Sequence, residues 1–139
     1  MRKNRLNLIL SFILVALIAV GALTSCSDDI TISLAAASEI PAQDIGEGEK
    51  TFRFEVFHNI EPTTVWNIHT DETTVGSALF EVGLTDDKGF ITVVNGLTAD
   101  WEADNAYWAF YINGEFALTG ANTVDIEEDK TYAFVYTQD

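Results

Sequence analysis

Two histidines, one cysteine and a short loop of alternating carboxylates are the residues in this 139-residue chain whose types permit chemistry beyond simple contact. His58 and His69 fall on separate predicted strands, without His-Glu-x-x-His spacing and without a neighbouring cysteine, so the pattern of a zinc site is missing. Each is expected to be an ordinary strand or loop residue. Asp100-Trp101-Glu102-Ala103-Asp104-Asn105 carries carboxylates at alternate positions, as calcium loops do. Its sixth place lacks glycine, and Tyr111 stands where the bidentate glutamate of the twelfth place belongs, which excludes an EF-hand. No serine sits in a nucleophile elbow and no glycine-rich phosphate loop is present. The expectation is a protein that is not an enzyme, with no catalytic residue, no cofactor and no metal site.

Aromatic side chains offer a different chemistry, that of stacking and apolar contact. Ala106 to Gly114 (Ala-Tyr-Trp-Ala-Phe-Tyr-Ile-Asn-Gly) is the densest run of β-forming residues and ends in Asn113-Gly114, the strongest two-residue hairpin signal. It reads as the central strand. A type I′ turn there sets Ile112 opposite Glu115, Tyr111 opposite Phe116, Phe110 opposite Ala117 and Ala109 opposite Leu118. One face of the hairpin then carries Trp108, Phe110 and Ile112, and the other Tyr107, Ala109, Tyr111, Phe116 and Leu118. A small domain has one core to cover one of these faces. The second face is expected to meet a loop, a partner or a ligand, with Trp101, Tyr107, Tyr111, Asn113 and Phe116 as candidate ligand-binding residues.

These elements sit behind an N-terminal leader. Arg2, Lys3 and Arg5 precede a mostly apolar run from Leu6 to Leu23, the pattern of a secretory signal peptide over residues 1–25. The run closes on Leu23-Thr24-Ser25-Cys26, which resembles the lipobox of bacterial lipoproteins. That resemblance implies lipidation of Cys26, cleavage before it and an extracytoplasmic domain anchored to the membrane. With Cys26 so used, no thiol remains for a disulfide or a nucleophile. All 22 acidic residues follow Cys26 and only four of the seven basic ones do, a balance that argues against nucleic acid and anionic lipid as partners.

Residues 26–50 read as the lipidated cysteine and a flexible tether, small and polar in composition. Residues 51–139 form the folded domain. Phe52, Phe54 and Val56 alternate with Arg53 and Glu55 as a first strand, and Val65 to Thr70 is a second. Val75, Ala78, Leu79 and Val82 make one apolar stripe of a short helix ending at Gly83. Phe90 to Val94 is expected as a third strand, Asn95-Gly96 as a turn, Leu97 to Asn105 as a loop, Thr123 to Ile126 as a strand segment, and Tyr132 to Thr137 as the last strand. The class is α+β: a small mixed sheet of about five or six strands with one short helix.

Thr74 to Leu79, the Asn95-Gly96 turn, Tyr107 to Glu115, Thr119-Gly120 and Tyr132 to Thr137 together resemble the transcobalamin-like C-terminal domain family, whose bacterial members are exported proteins of unknown function. The resemblance runs over Thr51 to Thr137 and implies a β-grasp-like fold that binds a soluble ligand, which is cobalamin in the animal carriers. The chain departs from the family pattern at Glu128-Asp129-Lys130, where an Asp-Gly turn is usual, and it has no sequence for the large helical domain with which the carriers enclose cobalamin. The reading is a lipid-anchored binding module for a planar or macrocyclic small molecule such as a corrinoid. The alternative is a cell-surface adhesion or assembly domain that docks a protein or peptide.

Overall fold

The computed structural model describes residues 34–139, so the leader and Cys26 lie outside the described residues. The described residues begin with a short helix α1 (Leu34–Ser38), then strands β1 (Gln43–Gly46), β2 (Lys50–His58) and β3 (Glu61–Thr70) and helix α2 (Val75–Glu81). A two-stranded hairpin follows, β4 (Val93–Val94) and β5 (Leu97–Thr98), then α3 (Trp101–Asp104), β6 (Ala106–Ile112), β7 (Glu115–Phe116), a 3-10 turn at Ala121–Thr123, and β8 (Thr131–Gln138). Six strands form one mixed sheet in the order β1-β3-β2-β8-β6-β7, as the α+β reading requires. No helix among the described residues is long and apolar enough to cross a membrane.

The centre of the sheet is the parallel pair β2 and β8, not the hairpin strand. Tyr132 to Tyr136 are buried without a break, because β8 is covered on both faces. Phe52, Phe54, Val56, Ile68, Phe110, Tyr132 and Phe134 point to one side, where Val75, Ala78 and Leu79 of α2 close over them. Their rings interlock edge-on, Phe52 with Tyr132 at 5.4 Å and Phe54 with Phe134 at 6.0 Å between centroids. The side chain of Thr74 caps α2 by accepting from the Ser77 amide, and Gly83 follows the helix with φ +76°. Gly76 lets the first turn of α2 approach the chain so closely that a Cβ there would collide with the Lys88 carbonyl and the Asn122 backbone.

The opposite face holds Phe57, Val65, Ala109, Ala133 and Val135, and the segment expected to be a tether covers it. Ala37 of α1 is fully buried there, with Ile40 and Ala42 beside it, and β1 adds a parallel edge strand through Gln43↔Trp66 to Gly46↔His69. The folded unit therefore starts before Thr51. A composition of small residues concealed this, since alanine packs against a sheet as readily as it fills a spacer. Beneath α1, Arg53 pairs with the buried carboxylate of Glu55 (Nε to Oε1, 2.7 Å) and donates from Nη2 to the Ala37 carbonyl.

Three other expectations change. Only Val93–Val94 of the Phe90 to Val94 run is strand, because Asp86 and Asp87 capture the amides of residues 89, 90, 92 and 93 in side-chain turns. Asp100 accepts from the amides of Glu102 and Ala103 and so starts α3 inside the expected loop, giving more helices than the one foreseen. Residues 123–126 form the end of a 3-10 turn and one isolated bridge, Thr74↔Asp125, instead of a strand. The Glu127–Lys130 turn closes through Lys130 N–H to the Glu127 carbonyl without a left-handed residue.

Removing one partner of the Arg53–Glu55 pair leaves a carboxylate buried beneath α1. Arg53→Leu is expected to lower stability in a denaturant titration by about 2–4 kcal/mol, reduced from the fully buried case because Arg53 is partly exposed. The Arg53→Leu, Glu55→Leu double variant is expected to recover most of that loss.

Candidate functional site

The groove beside β6 begins where β7 stops. Asn113 and Gly114 both have positive φ (50° and 80°), as a type I′ turn demands, and Ile112↔Glu115 and Tyr111↔Phe116 pair as the spacing predicts. One further bond follows, Ala117 N–H to the Phe110 carbonyl at 2.8 Å. Beyond it the chain leaves the sheet for the 3-10 turn, so the expected facing of Ala109 and Leu118 does not form.

That departure exposes the outer edge of β6. Odd-numbered residues of this stretch bond to β8, as the Asn113 amide to Thr131 and the Asp139 amide to Asn105 show at its two ends. Even-numbered residues consequently aim their backbone groups outward. Ile112 and Phe110 meet β7, and the Ala106 amide donates to the Asp100 carbonyl at 3.2 Å. The Trp108 N–H and C=O face the gap, with no backbone partner on that side among the described residues.

The gap opens into a cleft of about 840 Å³, in the size range of small-molecule pockets. Its floor is Ala106 to Phe110, and its walls are residues 89–92, residues 98–102 and residues 116–121. Apolar side chains stand out at the rim: Phe90 is 84% exposed, Leu118 95%, and Trp101 and Phe116 56% each. Among the described residues, Asp100 and Glu102 are the only charged side chains lining it. The Trp108 indole donates to the Thr92 carbonyl at 3.1 Å and packs edge-on against Tyr136, tying one wall to the sheet.

Trp101, Tyr107 and Phe116 of the candidate residues line this cleft. Trp101 and Tyr107 meet edge-on at 6.1 Å, and Tyr107 is 41% exposed, so the 97–105 loop stands beside these rings without covering them. Tyr111 and Asn113 do not line it. Tyr111 packs against Phe116 and the second-face core, and burial pushes its phenol pKa up, with Tyr107 adding to the shift. Asn113 holds the turn to β8: its amide donates to the Thr131 carbonyl at 2.7 Å and its Oδ1 accepts from the Thr131 amide at 2.8 Å. Cys26 lies outside the described residues.

Phe90, Thr92 and Leu118 line the cleft and were not foreseen as site residues. Asp-Asp-Lys-Gly before Phe90 was the one available signal, since an Asx turn there takes the phenylalanine out of strand register. The histidines are engaged elsewhere. His69 sits between Asp44 (Nε2 to Oδ1, 3.0 Å) and Thr51 (Nδ1 to Oγ1, 3.0 Å), and His58 stacks on Tyr136 at 4.9 Å. Hydrogen bonds from His69 and then Asn67 hold the Asp44 pKa below its usual value. Among the described residues no group of three or more His, Cys, Asp or Glu side chains is placed to hold a metal ion.

A family model described as a domain of unknown function (DUF4430) matches residues 71–138. That range holds every wall of the cleft and all of the motifs that carry the transcobalamin-like resemblance, and leaves out β1, β2 and β3. A crystal structure at 1.30 Å resolution of a protein from Ruminococcus gnavus ATCC 29149, described as a "putative metal binding protein", is similar with a TM-score of 0.58 and 24% sequence identity. The similarity covers 66% of this chain and 99% of that one, and shows a shared fold. No curated protein sequence matches the chain.

Asp86 anchors the Phe90 wall. Burial alone would raise its pKa, but hydrogen bonds from the Thr92 hydroxyl (2.5 Å) and from the Val93 and Thr92 amides (2.8 and 2.9 Å) outweigh it and lower the pKa below 3.8. A depressed carboxylate pKa contributes order that is complete above the ordinary value and is lost as pH falls through the depressed one. Protection of the Thr92 and Val93 amides, read by NMR hydrogen exchange corrected for intrinsic rates, is therefore expected to hold above pH 3.8 and to fall only below it. Asp86→Asn is expected to abolish this pH dependence.

Proposed function

We propose that this domain is a non-enzymatic binding module whose ligand site is the cleft beside β6. The observation that carries the reading is the group of solvent-facing rings, Trp101, Tyr107 and Phe116, set around one concave, largely apolar space. Rings held by a rigid sheet lose little entropy when a flat ligand stacks on them. The ligand class supported by the transcobalamin-like resemblance is a planar or macrocyclic small molecule such as a corrinoid. A shallow cleft covers one side of such a ligand, so its affinity falls short of an enclosing carrier. The metal-binding description of the R. gnavus protein is not extended to this chain, because its described carboxylates and histidines do not converge.

Cobinamide titrated into the full chain is expected to quench tryptophan fluorescence and release heat in calorimetry. Trp101→Ala and Phe116→Ala are each expected to weaken binding by about 1–2 kcal/mol at unchanged melting temperature, as removal of an exposed aromatic contact does. Unchanged fluorescence together with no heat would remove the corrinoid from consideration.

The leader and the Leu23-Thr24-Ser25-Cys26 run support a second element of the proposal, a lipid anchor on Cys26 that holds the domain outside the cytoplasm. Cys26→Ser is expected to abolish incorporation of radiolabelled palmitate and to leave the chain unprocessed at its normal length. Labelling that persists in the variant would refute the anchor.

A further inference from the structure

We propose that the open edge of β6 accepts a short, extended, basic peptide, which continues the sheet where β7 breaks off. This goes beyond the planar-ligand reading: it shares the cleft but rests on the Trp108 backbone instead of on ring faces. Among the described residues the Trp108 N–H and C=O point into the gap and lack a backbone partner there, while the neighbouring outward positions at Phe110 and Ala106 are engaged by Ala117 and Asp100. The unfilled slot is therefore bounded at both ends and offers one donor and one acceptor to an incoming chain. Unpaired strand edges recruit extended chains, because each added residue satisfies backbone groups that water otherwise solvates.

Charge selects the occupant. Asp100 and Glu102 are the carboxylates that line the cleft among the described residues, and the Asp100 carboxylate is already engaged in capping α3, which leaves Glu102 to face an incoming cation beside the Trp101 ring. A second copy of the chain would bring the same carboxylates against each other, within a protein of formal net charge −15. Apolar side chains alternating with the basic ones would meet Phe90 and Leu118, which the fold leaves almost wholly exposed.

The test uses the full chain purified in detergent and three kinds of capped peptide. These are acetyl-Lys-Val-Lys-Val-Lys-amide, its Glu-for-Lys counterpart, and two isomers of the basic peptide methylated on one or the other alternate set of backbone nitrogens. The basic peptide is expected to bind, to slow hydrogen exchange at the Trp108 amide, and to bind about threefold more weakly to Glu102→Gln. One methylated isomer is expected to bind about tenfold more weakly and the other nearly as well as the parent, because only one edge of the peptide faces β6. Equal affinities of the two isomers, equal binding of the acidic peptide, no binding of the basic one, or a dimer by sedimentation without peptide would each overturn the proposal. Cobinamide titrated into the same sample reports separately on the planar-ligand reading, so the failure of one is distinguishable from the failure of the other.

Discussion

A sheet whose middle strands are buried on both faces needs two covers, and this constraint organises the molecule. β2 and β8 lie side by side, with Phe54 and Phe134 turned to one face and Phe57 and Val135 to the other. The first face takes α2 and the chain that follows it. The second has only the residues preceding β2, so Ala37, Ile40 and Ala42 are drawn onto it and β1 is fixed at the edge. Burial of large side chains at about 1.5–3 kcal/mol each is the driving term on both sides. The acidic surface bears on solubility and on partners without deciding the fold.

The second constraint is where the sheet stops. Asn113 locks the hairpin turn to β8, yet after Ala117 the chain is needed elsewhere, in the 3-10 turn that packs against the first turn of α2 at Gly76. β7 therefore ends after two residues. The cleft is the space left by that early departure, walled by the Phe90 loop and by α3. Both walls are shaped by aspartates that bond to backbone amides, Asp86 for one and Asp100 for the other. Much of the acidic composition near the site is thus structural, which leaves Glu102 as the rim carboxylate free to meet a ligand.

Apolar rings stand exposed around an edge gap. Among the described residues the cleft offers ring faces, one backbone position without a backbone partner on that side and a small negative charge. The match of residues 71–138 to a domain of unknown function takes in the whole cleft. β1, β2 and β3 lie before that range, although β2 supplies half of the sheet's centre.

Local patterns alone settled the elements whose signals are short-range. Alternation in Phe52 to Val56, the apolar stripe of Val75 to Val82 and the Asn113-Gly114 turn with its register all follow from residues a few positions apart, and all are present in the structure. Aromatic density around Trp101, Tyr107 and Phe116 marked three cleft residues for the same reason. Tertiary packing decided the rest. Sequence has no local term for which strand becomes central, for an alanine-rich segment folding back over a distant face, or for a hairpin abandoned because its chain is needed by α2. Tyr111 and Asn113 carry the residue types of a binding site, but neighbours more than fifteen positions away claim one for the core and the other for the turn. Phe90 and Leu118, apolar enough to be buried, are left in solvent at the cleft because the Asp87 turn takes one out of strand register and the chain's departure after Ala117 takes the other off the sheet.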